Sequence, residues 1–129
     1  MLLFQTYVAN SAIEGVGVFA AEPIPSGARI WELEPRLDRL FPISDLDGLP
    51  PAAQAFARRY GYVSGDDPTK WVLELDNGRF MNHSAQPNTR FDAPDGGYAI
   101  RAIAAGEELT CNYGDFLRDF ETPVEWRED

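Results

Sequence analysis

Glycine and proline interrupt this chain at short intervals, and this limits the length of any regular element. The sequence has eleven glycines and ten prolines among 129 residues. Between them lie short runs rich in β-branched and aromatic residues, among them KWVLEL (70–75), RFMN (79–82), TRFDA (89–93) and ELTCNY (108–113). Short runs of this composition, bounded by turn-forming residues, are typical of β-strands. The sequence therefore predicts a mostly β fold made of short strands, with the DGG at 95–97 as a hairpin turn.

One segment departs from this pattern. It begins with Pro51, and apolar residues from Ala53 to Tyr60 then recur at helical spacing. We predict a helix from Pro51 to Tyr60 that ends at Gly61. The helix lies in a less regular insert, at about residues 37–70.

Length, charge and cysteine content limit the classes of function. A chain of 129 residues fits one domain, 1–129, and contains no apolar run near the roughly 18 residues that a membrane span requires. The net charge of −10 argues against a nucleic-acid surface and favours basic partners. Cys111 is the single cysteine, so an internal disulfide is excluded. Without a recognisable signal peptide, we expect an intracellular protein, cytoplasmic or, in a eukaryote, nuclear.

The most unusual stretch is RFMNHSAQPN, at residues 79–88. It holds the only histidine, His83, between Asn82 and Ser84, and Asn88 follows shortly after. Taken alone, it fits a polar turn, with Asn88 in an Asx turn. Its N-x-[ST] glycosylation pattern is short and common, and it matters only in a secreted protein. A lone histidine without a nearby cysteine or histidine cluster does not indicate a metal site.

Two further motifs change the interpretation. They are GVGVFA (15–20) and GEELTCNYG (106–114), on either side of RFMNHSAQPN. In this order and spacing the three motifs resemble the SET domain, the catalytic module of protein-lysine methyltransferases. The resemblance extends from residue 11 to about 115. It implies a fold of small curved β-sheets (the β-clip type) with a short helical insert, a knot-like C-terminal threading and an aromatic tail at about 116–129.

SET domains bind S-adenosylmethionine (SAM) and release S-adenosylhomocysteine, so the resemblance also implies a cofactor site. The residues that it assigns to the cofactor are Gly15, Val16, Gly17, Asn82, His83, Tyr113 and Phe116. Asn82 would use its side-chain amide, which both donates and accepts hydrogen bonds, and His83 largely its backbone. Glycines at 15 and 17 would let the backbone approach a ligand closely. They also fit a tight turn between strands.

The implied reaction is transfer of a methyl group to the amine of a lysine side chain. Tyr113 matches the catalytic tyrosine of the family, and its hydroxyl would orient the amine or interact with the charge near the methyl group. The lysine must react as the neutral amine, although its usual pKa is about 10.4. An apolar channel beside a cationic sulfonium would lower that pKa. No residue in the sequence stands out as a dedicated base.

Candidates for the substrate channel are Tyr60, Tyr62 and Cys111. Tyr60 fits equally well as a core residue of the predicted helix. Many relatives carry an aromatic residue at the position of Cys111, so the number of methyl groups added stays open. Many also bind zinc through a cysteine directly after N-H-S and a cysteine-rich tail. Here that position is Ala85 and no cysteine follows Cys111, so we expect no metal.

The sequence therefore predicts a SAM-dependent protein-lysine N-methyltransferase. Its acidic surface would suit a basic, lysine-containing protein such as a histone-like protein or a ribosomal tail. Neither nucleic acid nor a membrane is an expected partner, and the oligomeric state stays open. The alternative is a non-catalytic SET module that binds a peptide or a protein. The intact Asn82, His83 and Tyr113 favour the enzyme.

Overall fold

Short strands dominate the part of the chain that the computed structural model describes, residues 1–116. In chain order the strands are β1 (Thr6–Asn10), β2 (Val16–Ala20), β3 (Arg29–Trp31), β4 (Arg39–Pro42), β5 (Tyr62–Val63), β6 (Lys70–Leu73), β7 (Asn82–His83), β8 (Thr89–Ala93), β9 (Gly96–Ala99) and β10 (Glu108–Cys111). The helices are α1 (Pro51–Tyr60) and the 3-10 helices Ile43–Gly48, Asn77–Phe80 and Tyr113–Asp115. The predictions of a mostly β fold and of a short helical insert are confirmed.

The strands described form small sheets, in the orders β1-β2-β10-β7, β3-β9-β8 and β4-β6-β5. Most neighbours are antiparallel, and β8 and β9 form the hairpin predicted around DGG. In contrast, β7 and β10 pair in parallel, with Thr110 opposite Asn82 and Cys111 opposite His83. This pairing brings two distant sequence motifs side by side.

The hydrophobic core joins the first two sheets. Val18 of β2 and Leu109 of β10 are fully buried in one cluster with Ile30 of β3. Ile24 and Ile103, which form an isolated β-bridge, complete the cluster from the connecting segments. Since the strands are short, connecting segments also supply core residues, among them Met81, which directly precedes β7.

Two parts of the sequence-based assignment need correction. The region 37–70 is more regular than predicted, because β4 and β5 flank β6 in a sheet of their own. RFMN was expected to be a strand, but Arg79 and Phe80 end a 3-10 helix and β7 starts at Asn82. The side chain of Asp76 accepts a hydrogen bond from the Gly78 amide and caps that helix.

Helix α1 has the predicted bounds, but Gly61 ends it differently from a left-handed cap. Its backbone is extended, with φ −105° and ψ 177°. Close packing explains the glycine instead, because a Cβ atom here would lie 2.7 Å from the Val72 carbonyl oxygen and 2.8 Å from that of Ala57.

We therefore expect Gly61→Ala to destabilise the fold by about 1–3 kcal/mol, the usual cost of overpacking. Denaturant unfolding measures this difference. Gly65→Ala is the matched control, since a Cβ atom at Gly65 has nothing within 4 Å. Equal stability of the two variants would contradict the packing explanation.

Within residues 1–116, no helix has both the length and the apolar character needed to cross a membrane.

Candidate active site

The Asn82 side chain connects the first two sequence motifs. Its amide nitrogen donates to the carbonyl oxygens of Val16 at 3.0 Å and Glu14 at 3.2 Å. It also lies 3.1 Å from Oε2 of Glu108. Strand β7 therefore holds the turn between β1 and β2 against β10.

The geometry explains why residues 15 and 17 are glycines. Gly15 adopts φ +48°, in the left-handed region that favours glycine, and its carbonyl oxygen accepts from the Ser11 amide at 2.9 Å. Gly17 lies in β2, and a Cβ atom there would overlap the Glu108 carboxylate and come within 3.1 Å of the Asn82 amide nitrogen. The structure thus brings Gly15, Val16, Gly17 and Asn82 together.

Glu108 belongs to this cluster, although sequence reasoning did not single it out. Its carboxylate accepts from the Ser11 hydroxyl at 2.8 and 2.9 Å as well as from Asn82. The available signal was its place in the GEEL part of the third motif. A carboxylate beside exposed backbone carbonyls makes this surface suited to a cationic group such as an ammonium.

His83 uses its ring to position the third motif. The side chain is buried, and Nδ1 accepts a hydrogen bond from the Tyr113 backbone amide at 3.0 Å. The two rings also pack with centroids 5.3 Å apart. Because the ring serves this internal contact, the expected cofactor contact of His83 falls to its backbone.

Asn88, directly before β8, has a structural role. Its side chain donates to the Glu108 carbonyl at 2.7 Å and accepts from the Thr110 amide at 2.8 Å. The amide group thereby acts as a substitute strand partner for β10. This contact replaces the Asx turn that the sequence left open.

The hydroxyl group of Tyr113 donates to the Met81 carbonyl oxygen at 2.6 Å. Burial raises the pKa of Tyr113, so the phenol stays protonated at neutral pH. The Tyr113 side chain is therefore a neutral phenol whose proton is donated to the Met81 carbonyl oxygen.

A cavity of about 430 Å³ lies on one side of Tyr113. Its wall includes all the predicted channel residues, Tyr60, Tyr62 and Cys111, together with Phe116. The Phe116 ring packs on Tyr62 at 5.1 Å and on Tyr113 at 5.8 Å between centroids. Tyr60 also packs against Phe80, so it serves both as a wall of the cavity and as a packing residue.

The same cavity contains a buried carboxyl group that the sequence analysis missed. Glu74 is 7% exposed, and its Oε1 accepts from the Tyr62 hydroxyl at 3.1 Å. Burial raises the pKa of Glu74 to about 7, the N-terminal ammonium lowers it, and the charges of Asp76 and Asp38 raise it. The KWVLEL pattern gives no signal for this burial, because it places Glu74 opposite the apolar Trp71 and Leu73.

The cluster around Asn82 lies outside the lining of this cavity, and the two regions meet at Tyr113. His83 contacts the Tyr113 amide, and Sγ of Cys111 lies 3.9 Å from the Asn82 carbonyl oxygen. The Cys111–Tyr113 segment therefore lies between the Asn82 cluster and the cavity, and both Cys111 and Tyr113 form part of the cavity wall.

Two expectations concern the end of the chain. Within the described residues, no group of three or more His, Cys, Asp or Glu side chains has the arrangement of a metal site. The expectation that the protein binds no zinc remains a prediction, because it also concerns the tail, which lies outside the described residues. The predicted aromatic tail, with Phe120 and Trp126, lies outside the described residues apart from Phe116.

Comparison with known proteins gives consistent results. A family model described as the SET domain matches residues 15–114. A curated relative, the histone-lysine N-methyltransferase of Schizosaccharomyces pombe specific for lysine 37 of histone H3, is 30% identical over 115 residues. That alignment covers 85% of this chain and 74% of the relative.

Solved structures show the same fold. A humanized mutant of the Chaetomium thermophilum Polycomb Repressive Complex 2 matches 90% of this chain with a TM-score of 0.62 and 26% identity, although the match spans only 16% of that chain. A Plasmodium falciparum protein named as a histone methyltransferase matches 88% of this chain and 96% of its own, with a TM-score of 0.59. Its 22% identity supports the fold alone. The family model, the curated relative and the shared architecture lead to one conclusion: the chain belongs to the SET-domain family.

Proposed function

We propose that this protein is a SAM-dependent protein-lysine N-methyltransferase. The observation that carries the proposal is the position of Tyr113, at the junction of the Asn82 cluster and the aromatic cavity. Membership of the SET family and the 30% identity to a histone-lysine N-methyltransferase support the reaction type.

The residues of the Asn82 cluster fit the cofactor. Gly17 lets the Glu108 carboxylate and the Asn82 amide lie against the β2 backbone, and this places a negative charge and a polar amide in the cluster. The residues that would hold the cofactor are Gly15, Val16, Gly17, Asn82 and His83, with Tyr113 and Phe116 at the boundary to the cavity. When bound, SAM supplies a methyl group on a positively charged sulfur, which needs no metal to activate it.

The cavity would then receive the lysine side chain. Its walls are aromatic, with Tyr60, Tyr62 and Phe116 around the four-carbon stem of the lysine. Such walls exclude water and hold the amine in line with the donor, and positioning of this kind makes a large contribution to the rate of a transfer reaction. The Tyr113 oxygen would accept a hydrogen bond from the amine and orient its lone pair.

We propose a basic protein as the substrate, such as a histone-like or ribosomal protein. The net charge of −10 would attract a lysine-rich segment and raise its encounter rate. Such substrates place the activity in the cytoplasm or, in a eukaryote, in the nucleus. A non-catalytic peptide-binding module remains the competing hypothesis, and it requires no affinity for SAM.

Binding of SAM should stabilise the fold. A ligand that binds only the native state at 100 times its dissociation constant contributes about 2.7 kcal/mol. Thermal unfolding with and without saturating SAM, together with calorimetry, measures this effect.

The control for the site is Asn82→Ala, which removes the amide from the proposed cofactor cluster. This variant should bind SAM more weakly and show a smaller shift in Tm. Absence of any shift for the wild-type chain would favour the non-catalytic module instead.

A further inference from the structure

The reaction proposed above leaves Glu74 without a role. A buried carboxyl group is costly unless it is well paired, and in the described part of the chain its hydrogen-bond donor is the Tyr62 hydroxyl alone. Glu74 nevertheless lies in the wall of the cavity that would admit a lysine. We infer that Glu74 contacts the substrate: it binds the ε-ammonium group of the incoming lysine and accepts its proton before methyl transfer. This inference rests on the proposed function.

Two neighbouring residues, Gly78 and Tyr62, determine the position of the Glu74 carboxyl group. Gly78 lies directly beside Glu74, because a Cβ atom at Gly78 would come within 2.6 Å of Glu74 Oε2. Tyr62 holds the other oxygen, Oε1, at 3.1 Å. One carboxyl oxygen is therefore fixed by a phenol, and the group is confined to the cavity wall that also contains Cys111 and Tyr113.

The charges around Glu74 favour a cation. Besides burial, the Met1 ammonium and the hydrogen bond from Tyr62 lower the pKa of Glu74, and Asp76 and Asp38 raise it. Asp38 accepts from the Met1 ammonium at 3.0 Å and so offsets that positive charge. The other charged side chains in the cavity wall are Arg59, Asp66, Arg79, Asp92 and Asp115. Arg79 donates to the Leu75 carbonyl at 2.7 Å and lies over the Phe80 ring, so its charge has other partners.

The chemical step is a balanced proton transfer. The N–H bond of the lysine ammonium breaks, an O–H bond forms on Glu74, and the nitrogen lone pair becomes free. That lone pair forms the new N–C bond to the methyl group while the C–S bond of the donor breaks. Glu74 then loses its proton to solvent through the cavity mouth. A carboxyl group with a pKa of about 7 accepts a proton from lysine more readily than an exposed glutamate does, and it is still ionised at neutral to alkaline pH.

Glu74→Gln tests this role, because glutamine keeps the shape and can still accept from Tyr62. The assay is transfer from isotope-labelled SAM to a mixture of core histones and ribosomal proteins, as a function of pH. We expect kcat/KM to fall by about 10²–10⁴-fold, the usual contribution of a general base. The wild-type profile should lose activity below about pH 7, and this limb should be missing in the variant. Calorimetry with SAM checks that the variant is folded.

Asp45→Asn is the matched control, since it removes the same charge from an exposed side chain outside the cavity wall. This control variant should lose activity below about pH 7 as the wild type does. If Glu74→Gln keeps the wild-type rate and pH profile while the wild-type chain is active, Glu74 has no role in the reaction and the inference is wrong. If the wild-type chain transfers no methyl group to any protein in the mixture, the proposed function fails, and this inference with it.

A second measurement does not depend on turnover. In an NMR titration of carboxyl-labelled protein with S-adenosylhomocysteine present, n-butylammonium chloride should lower the pKa of Glu74, because the bound cation favours the carboxylate. An unchanged Glu74 pKa at saturating n-butylammonium would overturn the proposed ammonium contact.

Discussion

Tyr113→Phe should slow methyl transfer by about 10²–10³-fold, which is typical when one positioned polar group is removed from a site that excludes water. The ring contacts with His83 and Phe116 remain, so the cofactor region should keep its geometry. The lost hydroxyl leaves the Met81 carbonyl without its 2.6 Å partner, and we expect a stability loss of about 1–3 kcal/mol. Single-turnover kinetics with labelled SAM, beside calorimetry for cofactor affinity, separates chemistry from binding.

Tyr98→Phe is the matched control for this experiment. It also removes a phenol hydroxyl, one that donates to Asp95 at 2.7 Å, and Tyr98 lies outside the cavity wall. Its rate should equal that of the wild type. If Tyr113→Phe methylates a confirmed substrate at the wild-type rate, then Tyr113 is a packing residue and the mechanism is wrong even though the family assignment stands.

Glu74→Gln should stabilise the fold by about 3 kcal/mol at pH 9 and have little effect near pH 5. Burial favours the protonated carboxyl, so the pKa rises from 4.5 to about 7 on folding. The protonated form contributes its stability fully below the unfolded pKa, and this contribution is lost as the pH rises through 7. The size follows from about 1.4 kcal/mol for each pKa unit over the shift from 4.5 to about 7. Denaturant unfolding of both proteins across this pH range measures the difference.

Asp45→Asn again supplies the control, and as an exposed substitution it should change stability by less than about 0.5 kcal/mol at either pH. A difference between Glu74→Gln and the wild type that does not depend on pH would mean that the carboxyl group is well solvated or well paired. This experiment concerns burial alone, so it remains informative whatever the variant does to methyl transfer. A buried carboxyl group that costs stability and lies in a cavity wall is typical of residues retained for function.

The sequence alone determined the family and most of the local structure. Short runs between glycines and prolines have room for strands and little else, and the one alanine-rich segment formed α1 with the predicted bounds, Pro51–Tyr60. The three motifs identified the SET domain because the backbone at their glycines tolerates few other residues. Gly15 adopts a positive φ, and a Cβ atom at Gly17 would overlap the Glu108 carboxylate.

The fold of region 37–70 was beyond sequence reasoning. Strands β4 and β5 are too short to show a periodic pattern, and they are stabilised by pairing with β6, which no local signal encodes. Arg79 and Phe80 were likewise predicted to lie in a strand. They instead end a 3-10 helix that the Asp76 side chain caps.

The candidate site shows the same division. Asn82, His83 and Tyr113 were identified from motifs, but their contacts with one another depend on the parallel pairing of β7 with β10, strands that are distant in sequence. Glu74 was missed because strand alternation sets it apart from Trp71, Leu73 and Leu75, whereas in the structure Glu74 is buried and Leu75 is 54% exposed. Alternation assigns residues to two faces of a strand, but it does not say which face meets the rest of the protein. That choice is made by packing between elements far apart in the chain, and here it places a carboxyl group, not a leucine, inside the cavity.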